Sequence, residues 1–381
     1  MTINNHKVCT TCLMDTTDPL ISFDNNGICN HCHEFDSITK HNWFPNEEGH
    51  LQLQSTIDRI KQAGKGQEYD CIIGLSGGVD SSYLALKASE WGLKPLVVHV
   101  DAGWNSELAV SNIEKIVKHC NYDLHTHVVD WEDMRDLHLA YLKAGIANQD
   151  VPQDHIFFSS LYHFATQNNI KYILSGGNIA TESIFPKAWH GSAMDAINLK
   201  AIHKQFGTRK LRQYKTISFF DNYIWYPFIK GMRTLRPLNY MPYDKELAIK
   251  ELEKTIGWQS YGRKHGESVF TKLFQNYYLP TKFGYDKRKP HLSSLIVSGQ
   301  MTREAAISKI SEPLYDPKEL EIDINYFCKK LRISRDEYNE LLATPINSYQ
   351  DFDNWDNRYK LLKKTQALVE LFLNKKIKVF S

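Results

Sequence analysis

Between residues 70 and 175 the chain alternates short apolar runs with segments whose apolar positions recur every three to four residues. Asp70-Cys71-Ile72-Ile73 is the first run; after a polar turn, Leu84, Ala88 and Trp91 repeat at helical spacing until Gly92 stops the pattern. Pro95 to Val100 reads as a second buried strand. Ser106 then caps a helix whose Ala109, Ile113, Ile116, Val117 and Cys120 share one face, and Leu124 to Val129 reads as a third strand. Helical patterns at about 131–145 and 154–168 precede a fourth, Ile170 to Leu174. Strands alternating with helices predict an α/β fold, a doubly wound parallel sheet covered on both faces. In such sheets ligands gather beyond the carboxyl ends of the strands.

The turn after the first run is Gly74-Leu75-Ser76-Gly77-Gly78-Val79-Asp80-Ser81-Ser82. Between a strand and a helix start, this composition makes an anion site. Gly77 and Gly78 let the backbone approach a phosphate, the first N–H groups of the helix point at it, and the hydroxyls of Ser76, Ser81 and Ser82 add donors. No Gly-Lys-Ser/Thr follows the glycines, which excludes the Walker pattern, and their spacing is not the dinucleotide fingerprint. The segment resembles the PP-loop, SGGxDSS, of ATP-pyrophosphatase families. That resemblance implies ATP, its β- and γ-phosphates held by the loop while an acceptor oxygen attacks the α-phosphate. The rival is an ordinary glycine turn capped by Asp80 and the serines.

Two further segments should share the crevice: Asp101-Ala102-Gly103-Trp104, and Ser175 to Glu182 with Gly176 and Gly177 inside it. Asp101 reads as a contact to the ribose or adenine side of ATP, or as a turn residue. Glu182 reads as a holder of the Mg²⁺ that neutralises departing pyrophosphate, or as a cap.

Near the amino terminus Cys9-Thr10-Thr11-Cys12 and Cys29-Asn30-His31-Cys32 form two C-x2-C knuckles separated by sixteen residues. Such knuckles make a tetrahedral thiolate site for structural Zn²⁺, and a ribbon this small needs a staple. The rivals are an iron–sulfur cluster and a disulfide pair; Met1 to Val8 is polar and reads as no signal peptide, so a reducing, cytoplasmic setting and a metal are expected. His31 and His33 read as bystanders.

Composition narrows the class. Of 381 residues 42% are hydrophobic, enough for a sizeable core, and 46 Lys+Arg against 44 Asp+Glu leave a net charge of +2, so overall charge does not mark a nucleic-acid binder. No apolar run approaches a membrane span. Lys200 to Lys215 is basic without an acid between, read as a solvated face or as the rim of a polyanion site. Tyr359 to Phe380 has the register of a packing helix. The expected layout is a zinc ribbon at 1–45, a PP-loop domain at 55–235 and a mostly helical part at 236–381 for substrate and partners.

A denser cluster of charge, aromatics and glycine spans Tyr261 to Ser268 and Lys282 to Ser293. With it a wider resemblance takes shape. Cys-x-x-Cys-Leu-Met-Asp, SGGVDSS, Leu-Ser-Gly-Gly-Asn and Lys-Phe-Gly-Tyr-Asp-Lys-Arg together resemble the N-acetyl sugar amidotransferases of O-antigen, lipopolysaccharide and flagellin-glycan biosynthesis, over most of the chain. The resemblance implies conversion of an acetamido group on a sugar to an acetamidino group, using ATP and ammonia. Asp80 would act with the loop, and Lys264 or Arg288 would stabilise phosphate charge. Ammonia would come from separate partners, a glutaminase and a (β/α)8 barrel with a channel, since the chain shows no glutaminase segment of its own. Two other readings stay open: a tRNA-thiolating PP-loop enzyme, and a noncatalytic ATP-binding subunit. Asp150-Val151-Pro152-Gln153-Asp154-His155 reads as lining the site or as a capped helix entry.

Overall fold

The computed structural model describes residues 6–261 and 266–373. Five strands, β1 (Cys71–Gly74), β2 (Pro95–Asp101), β3 (Leu124–Val128), β4 (Tyr172–Leu174) and β5 (Arg233–Leu235), form one sheet in the order β3-β2-β1-β4-β5. Every pairing is parallel. The period-2 alternation of side chains shows in the core. Ile72, Val98, Val100 and Ile173 face one layer, while Cys71, Ile73, Val97 and Leu174 face the other.

Helices α1 (Glu47–Ala63), α2 (Val79–Glu90), α3 (Glu107–Cys120), α4 (Trp131–Ala144) and α5 (Val151–Gln167) supply most of the cover. Leu53, Ile57 and Ile60 of α1 and Leu84 and Ala88 of α2 pack beneath Cys71 and Ile73. Met134, Leu137 and Tyr141 of α4 and Ile156 and Ala165 of α5 cover the opposite face. α4 starts at Trp131 as the periodicity predicts, whereas α5 starts at Val151, three residues before its predicted onset, because Pro152 is tolerated in a first turn. Beyond β4 come α6 (Ile179–Glu182), α7 (Ala196–Phe206) and α8 (Lys245–Ile256). Leu252 of α8, with Leu238, Tyr243 and Trp258 around it, fills the same cluster as Leu75, Val79 and Ile113.

The basic run starts within α7, which holds Lys200 and Lys204, and continues as a held loop. Asp133 accepts from the backbone N–H groups of Arg212, Gln213 and Tyr214, and Asp136 from Thr208 and Arg209, so two buried carboxylates of α4 shape residues 208–214.

Further helices are α9 (Val269–Leu273), α10 (Arg288–Val297), α11 (Arg303–Ile310), α12 (Pro317–Leu331), α13 (Arg335–Ala343) and α14 (Asp356–Leu373). Phe270, Leu273, Ile324, Phe327, Leu331 and Tyr338 enclose Trp104, which leaves β2 and is buried among them. The amino-terminal knuckles sit against α10 and α11. Leu13 N–H donates to Ser293 Oγ (3.0 Å), Lys289 pairs with Asp15, and the Arg303 guanidinium donates to the carbonyls of Cys9 (3.1 Å) and Cys12 (3.3 Å). Among the described residues no helix is long and apolar enough to cross a membrane.

Candidate active site

Strand β1 delivers the PP-loop to the carboxyl edge of the sheet, where Leu75 still donates its N–H to Val98 (2.9 Å). Gly77 then turns at φ +82°, a conformation that favours glycine. Its carbonyl accepts from Trp258 Nε1 (3.1 Å) and the Tyr261 hydroxyl (2.9 Å), which fixes the peptide plane. Ser76 and Ser81 hydroxyls lie 3.1 Å apart, and Ser81 Oγ also reaches the Gly78 carbonyl (3.2 Å). The loop and the start of α2 open on a cavity of about 230 Å³, lined by Ser76, Gly78, Asp80 and Ser81 on one side and Gly176, Gly177 and Glu182 on the other.

Asp80 is oriented from two directions. Its Oδ1 accepts from the Tyr243 hydroxyl (2.6 Å) and from Asn178 Nδ2 (3.0 Å). Asn178 serves twice, because its Oδ1 also caps α6 through Thr181 N–H (2.9 Å). Burial, then the Asp80 and Glu182 carboxylates, push the Tyr243 phenol far above its ordinary range, so it stays a donor. Gly176 runs against the backbone of α2: a Cβ built there would lie 2.9 Å from the Asp80 carbonyl carbon and 3.0 Å from Ser81 N.

Lys245, at the start of α8, and Glu267, just before α9, also line the cavity. Among the described residues the walls thus carry the carboxylates of Asp80, Glu182 and Glu267, the Lys245 ammonium and the helix N-terminus. A divalent cation between these carboxylates and a polyphosphate would offset their repulsion, so Glu182 with Asp80 or Glu267 fits as a holder of Mg²⁺.

Not every residue singled out in the sequence reaches the cavity. Ser82 is fully buried beneath the loop, and its hydroxyl has no partner among the described residues. The Asp101 carboxylate closes its own turn, accepting from Gly103 N–H (2.7 Å) and Asn105 Nδ2 (3.0 Å), and borders a second cavity of about 220 Å³ with Trp131 and Lys330. Arg288 is not among the lining residues, because its guanidinium is locked to Asp286 (2.8 Å) and to the carbonyls of Ile310 and Glu312. Lys264 lies outside the described residues. Lys245 and Tyr243 carried no signal: they reach the crevice from more than 160 positions beyond the loop, through packing of α8 that no local motif announces.

The four knuckle cysteines form a second centre. Their sulfurs lie within 4.8 Å of one another, with Cys9–Cys32 at 3.9 Å and Cys12–Cys29 and Cys29–Cys32 at 3.7 Å. Thiolates on a tetrahedral Zn²⁺ at about 2.3 Å would sit about 3.8 Å apart, so the cluster is compatible with structural zinc. Backbone N–H groups of Thr11, Cys12 and Cys29 point at Cys9 Sγ, as metal knuckles require. His31 bonds Asp18 and His33 bonds Asp24 instead.

Residues 267–366 match a family model described as the C-terminal domain of LPS biosynthesis protein WbpG-like chains. The match covers roughly a quarter of the chain, begins at the cavity-lining Glu267, and is consistent with the sugar amidotransferase resemblance. No curated protein matches. Among solved structures, NMN synthetase from Francisella tularensis overlaps 76% of this chain and 96% of its own, at 14% identity and a TM-score of 0.36. NAD+ synthetase from Burkholderia pseudomallei overlaps 59% and 96% at 18% identity and 0.28. NH3-dependent NAD synthetase from Campylobacter jejuni overlaps 41% and 72% at 15% identity and 0.28. Overlaps this loose carry no argument about the reaction.

Proposed function

We propose that the protein is an ATP-dependent amidotransferase that converts an acetamido group of a nucleotide-linked diacetamido sugar to an acetamidino group. The observation that carries the reading is the PP-loop itself: Ser76, Gly78 and the first turn of α2 face a cavity whose opposite wall holds Gly176, Gly177 and Glu182. Its LPS side rests on the family match at 267–366.

An amide carbonyl is a poor electrophile with a poor leaving group. In the proposed first step the amide oxygen attacks the α-phosphorus of ATP; the bond to the bridging oxygen breaks and pyrophosphate leaves, giving an O-adenylyl imidate. Ammonia then adds to the imidate carbon, a proton is lost, and the C–O bond breaks to release AMP carrying the original amide oxygen. The loop N–H groups and Ser76 and Ser81 would hold the β- and γ-phosphates, and Lys245 would meet charge growing on the leaving group. A bound Mg²⁺ would screen the phosphates from the wall carboxylates. Zn²⁺ in the knuckles would be structural. Ammonia would reach the site from a separate glutaminase through a barrel partner.

Thiolation would need a reactive cysteine at the crevice. Among the described residues none lines it, and burial pushes the Cys71 and Cys328 thiols up, away from thiolate.

The test is to supply Mg-ATP, ammonium chloride at mildly alkaline pH and a panel of UDP-linked acetamido sugars, then weigh nucleotide and sugar products. AMP with replacement of one oxygen by NH on a sugar is the expected result. AMP only with tRNA and a sulfur donor would overturn the reading, and full activity on glutamine without a partner would remove the partner proteins from it.

A further inference from the structure

Near the PP-loop cavity lies a polar cluster, Asp150, Asp154, Lys287 and His190 with Phe185, in which Asp154 and His190 keep partial exposure and which the phosphate chemistry leaves unused. Both walls of the cavity lead toward it. From Glu182 the chain runs three residues to Phe185, no more than about 10 Å even fully extended. From Glu267 it runs about one helical turn to Thr271, whose hydroxyl donates to Asp150 (3.1 Å). Asp150 precedes α5, and Asp154 follows one turn later on the same helix. An acceptor oxygen that attacks the α-phosphorus must come within about 3–3.5 Å of it, so the acceptor's binding site has to adjoin the phosphate site in this way.

The groups in the cluster have the chemistry of a hydroxyl reader. Asp150 is occupied, its Oδ1 accepting from Gln153 and Thr271 and its Oδ2 from Gln275. The Asp154 carboxyl makes no hydrogen bond among the described residues. Burial and the Asp150 carboxylate push it well above the usual carboxylate range, with Lys287 pulling the other way, so it offers both a donor and an acceptor. Lys287, buried at the entry to α10, donates to His190 Nε2 (2.7 Å). An ammonium has only donors, so that nitrogen is the acceptor, and the ring, kept neutral by burial and by Lys287, carries its proton on Nδ1. Next to it Phe185 stacks on His190 with centroids 4.0 Å apart, yet remains 55% exposed.

We propose that this cluster forms a recess that seats the sugar ring of the acceptor, with Asp154 and His190 Nδ1 binding its hydroxyl or amide groups and Phe185 covering its apolar face. Two carboxyls and a neutral imidazole beside Lys287, the charged groups here among the described residues, do not suit a phosphate, so the nucleotide part of the acceptor lies outside the recess. The assignment rests on the amidotransferase reading for the identity of the sugar, and on the recess geometry for its place.

Phe185→Ala and Asp154→Ala test it. Neither removes a hydrogen bond among the described residues, and both variants should keep the wild-type thermal midpoint. Binding of UDP-N-acetylglucosamine and of UDP-linked diacetamido sugars is followed by saturation-transfer NMR and titration calorimetry, with steady-state KM for acceptor and for ATP where turnover occurs. The expected result is at least tenfold weaker sugar binding in each variant, loss of saturation transfer to ring protons, and an ATP KM within twofold of wild type. Sugar binding unchanged in both variants, or ATP KM rising in parallel, overturns the recess assignment. Wild-type binding without AMP formation overturns the amidotransferase reading, and the variants still decide the recess; no binding of any of these sugars by the wild type overturns both.

Discussion

Gly176→Ala and Gly177→Ala should behave very differently, although they are neighbours in one loop. At Gly176 the new Cβ would lie 2.9 Å from the Asp80 carbonyl carbon, 3.0 Å from its oxygen and 3.0 Å from Ser81 N, all backbone atoms that no rotamer change can move. Restoring an ordinary 3.4 Å contact requires the β4 loop and the first turn of α2 to part by about 0.5 Å, the difference between the two distances. Overpacking of this kind costs about 1–3 kcal/mol, and here the displacement falls on the two walls of the cavity. At Gly177 the nearest atoms are Ser175 Oγ at 3.4 Å and the Arg236 and Glu182 side chains at 3.8 Å, ordinary contacts, so the cost should stay below about 0.5 kcal/mol. Urea unfolding with a shared m-value gives the stability difference, and ATP titration gives the functional one. Gly176→Ala should lose midpoint and weaken ATP at least tenfold, with Gly177→Ala close to wild type. Equal midpoints and equal ATP affinities for the two variants would refute the argument that close backbone approach sets the cavity.

Other expectations follow from single residues. Asp80→Asn keeps an oxygen where Tyr243 and Asn178 donate, so stability should hold within about 1 kcal/mol while AMP formation falls by about 100-fold or more; denaturation and product analysis on one preparation check both. Cys12→Ser should abolish bound zinc, measured by elemental analysis, and lower the thermal midpoint, because the knuckle loses its staple. For Asp136, burial raises the carboxyl, but the Thr208 hydroxyl, His203 and the N–H groups of Thr208 and Arg209 more than reverse this and leave it below its ordinary range. A depressed folded pKa gives stability that is present above the unfolded value of about 4 and is lost as pH falls through the lower folded one. Asp136→Asn should therefore flatten the acid limb of a stability profile taken from about pH 6 to pH 3, and an unchanged slope would count against the assignment.

What the sequence made legible follows the range of the interactions involved. The PP-loop, its strand and its helix are written in consecutive residues, and so are the cysteine knuckles. β5 was not legible, since Arg233-Thr234-Leu235 has no apolar run and becomes a strand only by pairing with β4. β3 was legible despite being an exposed edge, through the β-branched and apolar residues of Leu124 to Val129. Trp104 looked like a crevice residue because it follows a strand end. It is instead the centre of a helical core assembled from residues 270–338, which only tertiary packing could reveal. The oriented state of Asp80 was hidden for the same reason, since its phenol and amide partners arrive from two other segments.

The docking of the knuckles onto α10 and α11 joins the cysteine cluster to the cavity wall through a short chain of contacts. Ile184 shares a cluster with the four cysteines, its N–H is taken by Ser294 Oγ on α10 (3.0 Å), and Ser298 Oγ donates to the Ala180 carbonyl (2.7 Å) within the short helix that ends at Glu182. A ligand that held the knuckles in this arrangement would therefore favour the arrangement of the Glu182 wall. Reciprocity would make the converse hold to the same extent: nucleotide in the cavity would tighten metal in the knuckles by the factor with which metal tightened nucleotide. Loading of the ribbon and occupancy of the crevice would then be two readings of a single coupling free energy.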